Sequence, residues 1–508
     1  MELLQGFVSI MNPVTLALIV GGVFGGLVIG ALPGLSAFTA LAIMLPFTFG
    51  MEPVNGISFL MAVYVGGCSG GLISAILLGI PGTPSSIATC FDGYPMAQKG
   101  EAKKALGTAV LFSFIGGIFG ALVLSFVGPH IARVALKFSS YDYFAIILFA
   151  LTTVSALSEG SMTKGLLSCM MGVALGFVGT DSLSSYYRYT FGINKLANGF
   201  SLVPVLIGLF AVSQIMMTAK NKKDNPAAMG GAAPDETIVQ NKVKGFGISV
   251  KEFFFHLKTA IPCALIGLVI GILPGLGGNV SNLMAYSYAK KTSKYPEKFG
   301  TGVVDGVVAS ETANNATVGG AIIILLTLGI PGDNATSVIL AGFQMHDVIP
   351  GPLLFKTSGA LVYAILATFI VANIAFFLIE YFGLPLFTKM LSIPSTLLLP
   401  VVIVCCFVGS YCANNNVLDI FIMVLFGVLG YILKKHKYPL APLVVGFILA
   451  PSLETYLRRS LMKTDGSFLP IIQSPIAAFF LISTVIAVVY TAYGTYKKSK
   501  EEKAKAVA

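Results

Sequence analysis

The sequence predicts an all-α polytopic integral membrane protein, made of two inverted-topology repeats. Composition is the first observation: the 508 residues are 56% hydrophobic and 11% charged, with a mean hydropathy of +0.86. Soluble domains carry about 25% charged residues. Many apolar stretches reach the roughly 20 residues that span a bilayer, so we expect about 10–12 transmembrane spans together with re-entrant helical hairpins.

Duplicated helix breaks are the second observation. The string Leu-Pro-Gly at 32–34 recurs at 273–275, and Gly-Ile-Pro-Gly at 79–82 recurs at 329–332. Proline removes a backbone donor and glycine permits unusual conformations, so each string predicts an interrupted helix. Ahead of each Leu-Pro-Gly string, glycines at four-residue spacing predict a smooth face for close helix packing. Paired breaks in two halves of a membrane chain point to the binding site of a secondary transporter.

The distribution of basic residues is the third observation. Residues 1–98 contain no Lys or Arg, and the first basic cluster begins at Lys99, after Gly-Ile-Pro-Gly. In the second half the cluster at 290–298 instead lies between the two strings. Since basic loops face the cytoplasm, equivalent loops face opposite sides, which predicts inversion, a periplasmic N-terminus and a cytoplasmic C-terminus. Arg458 and Arg459 fit this scheme poorly, and we expect an irregular hairpin there.

Four parts follow from these patterns. Inverted repeat 1 occupies 1–218, a flexible cytoplasmic linker 219–255, inverted repeat 2 occupies 256–470, and a final transmembrane helix with a basic cytoplasmic tail 471–508. The linker assignment rests on a stretch of small, polar, Pro- and Gly-rich residues between the repeats.

Small polar residues around each break form the candidate substrate site. The candidate substrate-binding residues are Pro33, Gly34, Ser36, Thr83, Ser85, Ser86, Gly277, Asn279, Asn334 and Thr336. Such residues cap helix N-termini, whose N–H groups and positive dipole end attract a carboxylate. Capping alone would also explain many of them. Because no Lys or Arg is close to the breaks in sequence, we expect backbone N–H groups, hydroxyls and amides to hold an anion.

A further polar patch belongs to the second half. The candidate residues for coupling to Na⁺ or H⁺ are Gly332, Asp333, Glu311, Asn314 and Asn315. Ionisable groups within membrane segments are costly and mark functional sites, and oxygen ligands suit hard cations. A position of Glu311 at the cytoplasmic edge is an equal alternative. The first half has Met61, Tyr64 and Val65 at the corresponding positions, so the patch places ion coupling in repeat 2.

Several other classes of function lack support. The net charge of +10 comes from short basic runs between apolar spans, so no nucleic-acid partner is expected. The chain has no phosphate-binding loop and no nucleophile elbow, and its seven Cys and four His show no metal-ligand spacing. We therefore expect neither an enzyme nor a cofactor. An intramembrane enzyme and a channel remain weaker alternatives.

At its breaks the chain resembles the large membrane subunit of the tripartite tricarboxylate transporters, the TctA family. The matching strings are Gly-Ala-Leu-Pro-Gly-Leu-Ser at 30–36, Leu-Gly-Ile-Pro-Gly-Thr-Pro-Ser at 78–85, Phe-Asp-Gly-Tyr-Pro-Met at 91–96, Gly-Ile-Leu-Pro-Gly-Leu-Gly at 271–277 and Leu-Gly-Ile-Pro-Gly at 328–332. The resemblance covers nearly the whole chain.

The resemblance implies a permease of the bacterial inner membrane, driven by a Na⁺ or H⁺ gradient, that takes up a di- or tricarboxylate or a related organic acid. It also implies elevator-like movement and two protein partners, a periplasmic substrate-binding protein and a small four-helix membrane subunit. A stand-alone secondary transporter of another small anion is the alternative.

Overall fold

The computed structural model describes residues 2–32, 35–157, 162–181, 183–224, 247–390, 395–412 and 414–489. The helices of the first half are α1 (Glu2–Ile10), α2 (Pro13–Ala31), α3 (Ala37–Met44), α4 (Pro53–Leu78), α5 (Ile87–Met96), α6 (Ala102–Ala135), α7 (Ser140–Leu157), α8 (Met162–Gly176), α9 (Leu202–Leu206) and α10 (Ser213–Asp224). Those of the second half are α11 (Val250–Ile272), α12 (Gly277–Thr292), α13 (Val304–Leu328), α14 (Asn334–Met345), α15 (Leu354–Thr357), α16 (Gly359–Met390), α17 (Ser395–Cys412), α18 (Val417–Lys435), α19 (Leu440–Lys463), α20 (Leu469–Gln473) and α21 (Pro475–Val489).

Short elements connect these helices. Tight 3-10 or π turns occupy Leu45–Thr48, Pro84–Ser86, Ala97–Glu101, Asn194–Leu196, Ile207–Val212 and Pro296–Lys298. Strands β1 (Gly179–Thr180) and β2 (Tyr187–Arg188) form a small antiparallel pair in which Gly179 faces Arg188. Helix α10 continues to Asp224 and α11 begins at Val250, so both ends of the predicted linker are helical. Its middle, 225–246, and the tail at 490–508 lie outside the described residues.

Long apolar helices dominate the described part of the chain. Seven are long and apolar enough to cross a membrane, and five shorter apolar helices of 10–17 residues accompany them. A bilayer-spanning helix needs about 20 residues, so the protein crosses the membrane many times. The prediction of an all-α polytopic membrane protein is confirmed, whereas the number of spans stays a prediction.

The predicted helix breaks are present wherever the structure describes them. Helices α4 and α13 end at Gly79 and Gly329, whose φ angles of +66° and +72° lie in the left-handed region that favours glycine. Helices α2 and α11 end instead at Leu32 and Leu273 in an extended conformation. Each break is a local feature of the chain, because its own proline and glycines determine the backbone conformation there.

Glycine faces bring helix backbones into direct contact in both halves. A Cβ added to Gly26 on α2 would lie 2.3 Å from the carbonyl oxygen of Val63 on α4. One added to Gly267 on α11 would lie 2.2 Å from the carbonyl oxygen of Ala313 on α13. The predicted close packing at the glycine faces is therefore confirmed, and it pairs α2 with α4 and α11 with α13.

The two halves interlock through their long helices. Helix α6 packs on α13, where a Cβ on Gly116 would lie 2.2 Å from the carbonyl oxygen of Thr312. Helix α16 packs on α4, and the hydroxyls of Thr368 and Ser58 are 2.8 Å apart. Helices α4 and α13 are consequently buried along almost their whole length. The core of the molecule lies between the halves.

One carboxylate fastens the first half to the second. Asp92 on α5 accepts hydrogen bonds at Oδ1 from the backbone N–H groups of Gly300, Gly302 and Val303, each at 2.8–2.9 Å. Its Oδ2 accepts a fourth from the hydroxyl of Tyr286, at 2.8 Å. Hydrogen bonds to a charged group contribute about 1.5–3 kcal/mol each, so Asp92 holds the loop before α13 in place.

The remaining helices flank this core, and they resolve the misfit at Arg458. Helix α19 packs on α7 and α8 and is regular through Arg458, so the expected irregular hairpin is wrong. The guanidinium of Arg458 bonds to Asp181 of the β1–β2 loop at 2.6 Å and to Glu454 at 3.2 Å. Hydrogen bonds from Ser184, from the backbone N–H of Leu183 and from Arg458 hold the pKa of Asp181 well below its usual range. Tertiary pairing thus accommodates these charges.

Candidate functional site

A cavity of about 680 Å³ lies where the breaks of the two halves meet. Its walls come from the start of α3, the turn at Pro84–Ser86, the α11–α12 turn and the start of α14, with the end of α18 along one side. Pockets for small ligands measure about 300–1,000 Å³, so this cavity has the size of a small organic ligand.

The cavity brings together most of the predicted substrate-binding residues. Those that line it are Ser36, Thr83, Ser85, Gly277, Asn279 and Asn334. Ser86 and Thr336 lie behind the walls, fully buried and bonded within their own turns. Pro33 and Gly34 lie outside the described residues.

The polar residues at the breaks cap their own helices, which satisfies part of their hydrogen-bonding capacity. Asp333 Oδ1 accepts the backbone N–H of Thr336 at 2.8 Å at the start of α14. The hydroxyl of Ser36 accepts the N–H of Thr39 at 3.4 Å, a long bond. Capping and cavity lining therefore coexist in the same residues, since both Asp333 and Ser36 also face the cavity.

Asp333 also joins the two halves across the cavity wall. The hydroxyl of Tyr64 on α4 donates to Asp333 Oδ2 at 2.5 Å. Both residues line the cavity, so the half-buried carboxyl group of Asp333 lies at the cavity and at the α14 N-terminus and also contacts the opposite half. Gly332 plays a different part, because its carbonyl oxygen accepts the N–H of Gly275 at 2.7 Å and ties the second break to the α11–α12 turn.

The other candidate coupling residues lie on α13, and they differ in whether they reach the cavity. Asn314 lines the cavity, whereas Glu311 is fully buried away from it. The Glu311 carboxyl accepts hydrogen bonds from Thr89 at 2.5 Å and Ser113 at 2.7 Å. Asn315 is buried too and accepts a hydrogen bond from Ser69 at 2.8 Å. Glu311 thus lies inside the helical core, with two hydroxyl donors from the first half.

Comparison with known proteins decides the family. The profile of the Tripartite tricarboxylate transporter TctA family matches residues 16–445. The chain belongs to the TctA family. It is also 34% identical over 498 residues to the uncharacterized 52.8 kDa protein in the TAR-I ttuC′ 3′ region of Agrobacterium vitis, covering 98% of this chain and 97% of that protein.

A second relative matches a shorter stretch. The uncharacterized protein in the TAR-II ttuC′ 3′ region of Agrobacterium vitis is 33% identical over 236 residues, which is 46% of this chain and 98% of that protein. The resemblance drawn from the motifs is therefore confirmed. This TctA-family protein is a multi-pass membrane component of a tripartite tricarboxylate transporter, and its family is one of transporters rather than enzymes.

Two lysines of the TctA-family protein reach the cavity although they are distant from the breaks in sequence. Lys434 and Lys437, at the end of α18 and just after it, line the cavity. The ammonium group of Lys434 donates to Gln214 Oε1 on α10 at 2.9 Å, which holds the chain end in position. The expectation of a site without cationic side chains is thus revised. The sequence marks these lysines only as a basic loop, and tertiary packing brings that loop to the cavity.

A second missed residue of the TctA-family protein is Glu380. Its carboxyl group on α16 is fully buried, and both oxygens have no hydrogen-bond partner among the described residues. It lies on the same face as Phe376 and Leu384, each at most 2% exposed. The sequence could have indicated Glu380, because it is a lone glutamate in a long apolar run and burying an ionisable side chain in a membrane costs free energy.

Proposed function

We propose that this TctA-family protein is the permease subunit that carries a di- or tricarboxylate, or a related organic acid, through the cavity between its halves. Uptake is driven by a Na⁺ or H⁺ gradient. In this proposal the protein lies in the bacterial inner membrane, with a periplasmic N-terminus and a cytoplasmic C-terminus. A periplasmic substrate-binding protein delivers the acid, and a small membrane subunit completes the complex.

The observation that carries the proposal is the chemistry of the cavity wall. Hydroxyl- and amide-bearing residues of the breaks line the same space of about 680 Å³ as two lysines, Lys434 and Lys437. Ammonium groups attract carboxylates, and hydroxyl and amide donors fix their orientation. A molecule with two or three carboxylates can engage both sets of groups at once. A monoanion would leave one set unmatched.

Duplicated contacts support the division into two repeats. A Cβ on Gly70 of α4 would lie 2.5 Å from the carbonyl oxygen of Leu27, and one on Gly320 of α13 would lie 2.3 Å from that of Leu268. Leu27 and Leu268 each lie five residues before the Leu-Pro-Gly string of their half. The cross-packing is reciprocal as well, since α6 packs on α13 and α16 on α4. These matched packings favour one fold used twice.

The division into core and flanking helices supports elevator-like transport. Four elements of the core form cavity walls, and the end of α18 lies along the remaining side. In the proposed cycle the core moves relative to α18 and α19, so the breaks carry the acid away from Lys434. Lys437 is exposed and lines the cavity, which supports an opening toward the α18–α19 loop, the cytoplasmic side in the proposed orientation.

Uptake of labelled citrate and tartrate into proteoliposomes tests the proposal. The vesicles contain the permease, the small membrane subunit and the binding protein, with imposed Na⁺, proton or no gradients. We expect gradient-dependent uptake, and Lys434→Met to lower it at least tenfold at low substrate concentration, because one fixed positive charge leaves the cavity. Lys435→Met is the matched control with unchanged uptake, since Lys435 is exposed on the same helix end and does not line the cavity.

Two results would contradict the proposal. Uptake that is the same with and without a Na⁺ or proton gradient would contradict ion coupling. Equal uptake by the Lys434 and Lys435 variants would contradict the assignment of the cavity as the carboxylate site. Gradient-driven uptake without the binding protein would favour the alternative of a stand-alone transporter. Asn334→Ala and Ser36→Ala provide a second arm, with reduced uptake at normal expression expected for both.

A further inference from the structure

We propose that Asn282, Asn314 and Ser85 form a Na⁺ site where α12, α13 and the Pro84–Ser86 turn meet. This inference rests on the proposed function, because it assigns the coupling ion to a place in the same cavity wall. Asn282 follows the Leu-Pro-Gly string of the second half but was not among the candidate site residues, and its role depends on a contact between the two halves.

Two buried amide oxygens without partners identify the site. The Oδ1 atoms of Asn282 and Asn314 have no hydrogen-bond partner among the described residues, and the two side chains are 0% and 1% exposed. A buried carbonyl-type oxygen that lacks a partner costs about 1–3 kcal/mol. Contact with a positively charged ligand would satisfy such an oxygen.

Both amides lie next to the Pro84–Ser86 turn. Asn282 Nδ2 donates to the carbonyl oxygen of Ser85, which joins α12 to the turn of the other half. A Cβ added to Gly278 would lie 2.5 Å from Asn314 Oδ1 and 2.7 Å from the Cβ of Ser85. Asn314 Nδ2 donates to the carbonyl oxygen of Cys68 at 3.3 Å, so the Oδ1 atom points away from α4 toward Gly278. Glycine at 278 lets Asn314 and Ser85 approach α12 closely, because a Cβ there would collide with both.

The chemistry of this group selects a monovalent hard cation. Amide, hydroxyl and carbonyl oxygens are the donors, and none of the three residues carries a carboxylate. Ca²⁺ and Mg²⁺ sites in proteins draw on carboxylates, whereas a neutral set of oxygens suits a single positive charge. A proton is a poor occupant, because neither an amide nor a serine hydroxyl titrates near neutral pH.

The location links the ion to the acid. Asn314, Ser85 and Gly278 line the same cavity as Lys434, so a Na⁺ ion there would add a further positive charge to the cavity wall. It would also fix the Pro84–Ser86 turn against α12, and so join two halves that each contribute donors to the acid. Acid binding and Na⁺ binding would then strengthen each other, as linkage requires.

Thermal unfolding of the purified subunit tests the site without any transport. Melting is compared in NaCl, KCl and choline chloride at equal ionic strength, with a thiol-reactive dye as reporter because the chain contains no Trp. We expect a Na⁺-dependent rise in Tm of roughly 3 °C or more that saturates with concentration. Asn282→Ala and Asn314→Ala should lose this rise. Asn373→Ala is the matched control, a buried amide on α16 that is already bonded to the carbonyl oxygen of Phe369.

A wild-type Tm that is the same in Na⁺ and choline overturns the proposal, whatever the variants do. An equal Na⁺ response in wild type, Asn282→Ala and Asn314→Ala overturns the location. If either alanine variant fails to fold, the matching serine variant replaces it, and a reduced Na⁺ response supports the site. A specific Na⁺ response in a protein that takes up no carboxylate would support this site and contradict the proposed function, so the two failures are distinguishable.

Discussion

The two buried central helices, α4 and α13, are alike in shape and different in chemistry. Both end at a left-handed glycine, and both press a glycine face against a partner helix. Yet α13 carries Glu311, Asn314 and Asn315 where α4 carries apolar residues and Tyr64. The two halves therefore share the backbone packing of this helix, whereas only the second half carries these polar side chains on it.

This difference separates two kinds of constraint. Packing of glycine against backbone requires the same residue type in both halves, since any Cβ would collide. Polar groups in the core need partners, and Glu311 and Asn315 of α13 find theirs in the first half, at Thr89, Ser113 and Ser69. At these three contacts the first half supplies the hydroxyl donors and the second half supplies the acceptors.

The largest expected effect tests the shared shape. Gly70→Val and Gly320→Val should destabilise the protein to a similar extent, by about 3 kcal/mol each, because each Cβ would lie within 2.5 Å of a carbonyl oxygen. Tm and the yield of monodisperse protein in detergent measure the loss. Gly21→Ala is the control without effect, since no atom lies within 4 Å of its added Cβ. If one valine variant were stable and the other were not, the packing of α4 and α13 would not be equivalent.

A smaller effect tests the difference in chemistry, with two buried glutamates. Glu311→Leu should lower stability by about 2 kcal/mol, because Thr89 and Ser113 lose their acceptor. Glu380→Leu should instead raise Tm, because its carboxyl has no partner among the described residues and an apolar group suits the site. Melting curves of both variants at the same pH give the comparison. A Tm change of the same sign in both variants would contradict it.

The smallest effect concerns the single polar side chain by which α4 reaches Asp333. Tyr64→Phe should cost about 1.5 kcal/mol, since one hydrogen bond to a carboxyl group of the other half is lost while the ring stays. Tm measures the cost, and Tyr143→Phe, which removes a hydroxyl bonded to the carbonyl oxygen of Ala135, is the matched control with a smaller loss. An unchanged Tm for Tyr64→Phe would show that this contact contributes nothing to stability.

Local features of the molecule could be predicted from the sequence, and distant ones could not. The breaks at Gly79 and Gly329 and the glycine faces follow from residues next to one another or one helical turn apart. Lys434 reaches the cavity only because α18 packs beside α10, and Asn282 meets Ser85 only because two halves interlock. The spacing of residues along the sequence does not predict such contacts. The residues at the breaks could be predicted in part. Their capping role depends on neighbouring residues, whereas the cavity that they share depends on tertiary packing.

The glycine contacts also determine how the molecule can deform. Where two helices touch through their backbones, there is no layer of side chains that could rotate or slide between them, as there is in an ordinary helix interface. We therefore expect the α2–α4 and α11–α13 pairs to move as rigid units, each with a break at its end, because close-packed atoms resist displacement. We expect bending instead at the surrounding interfaces, where side chains lie between the helices.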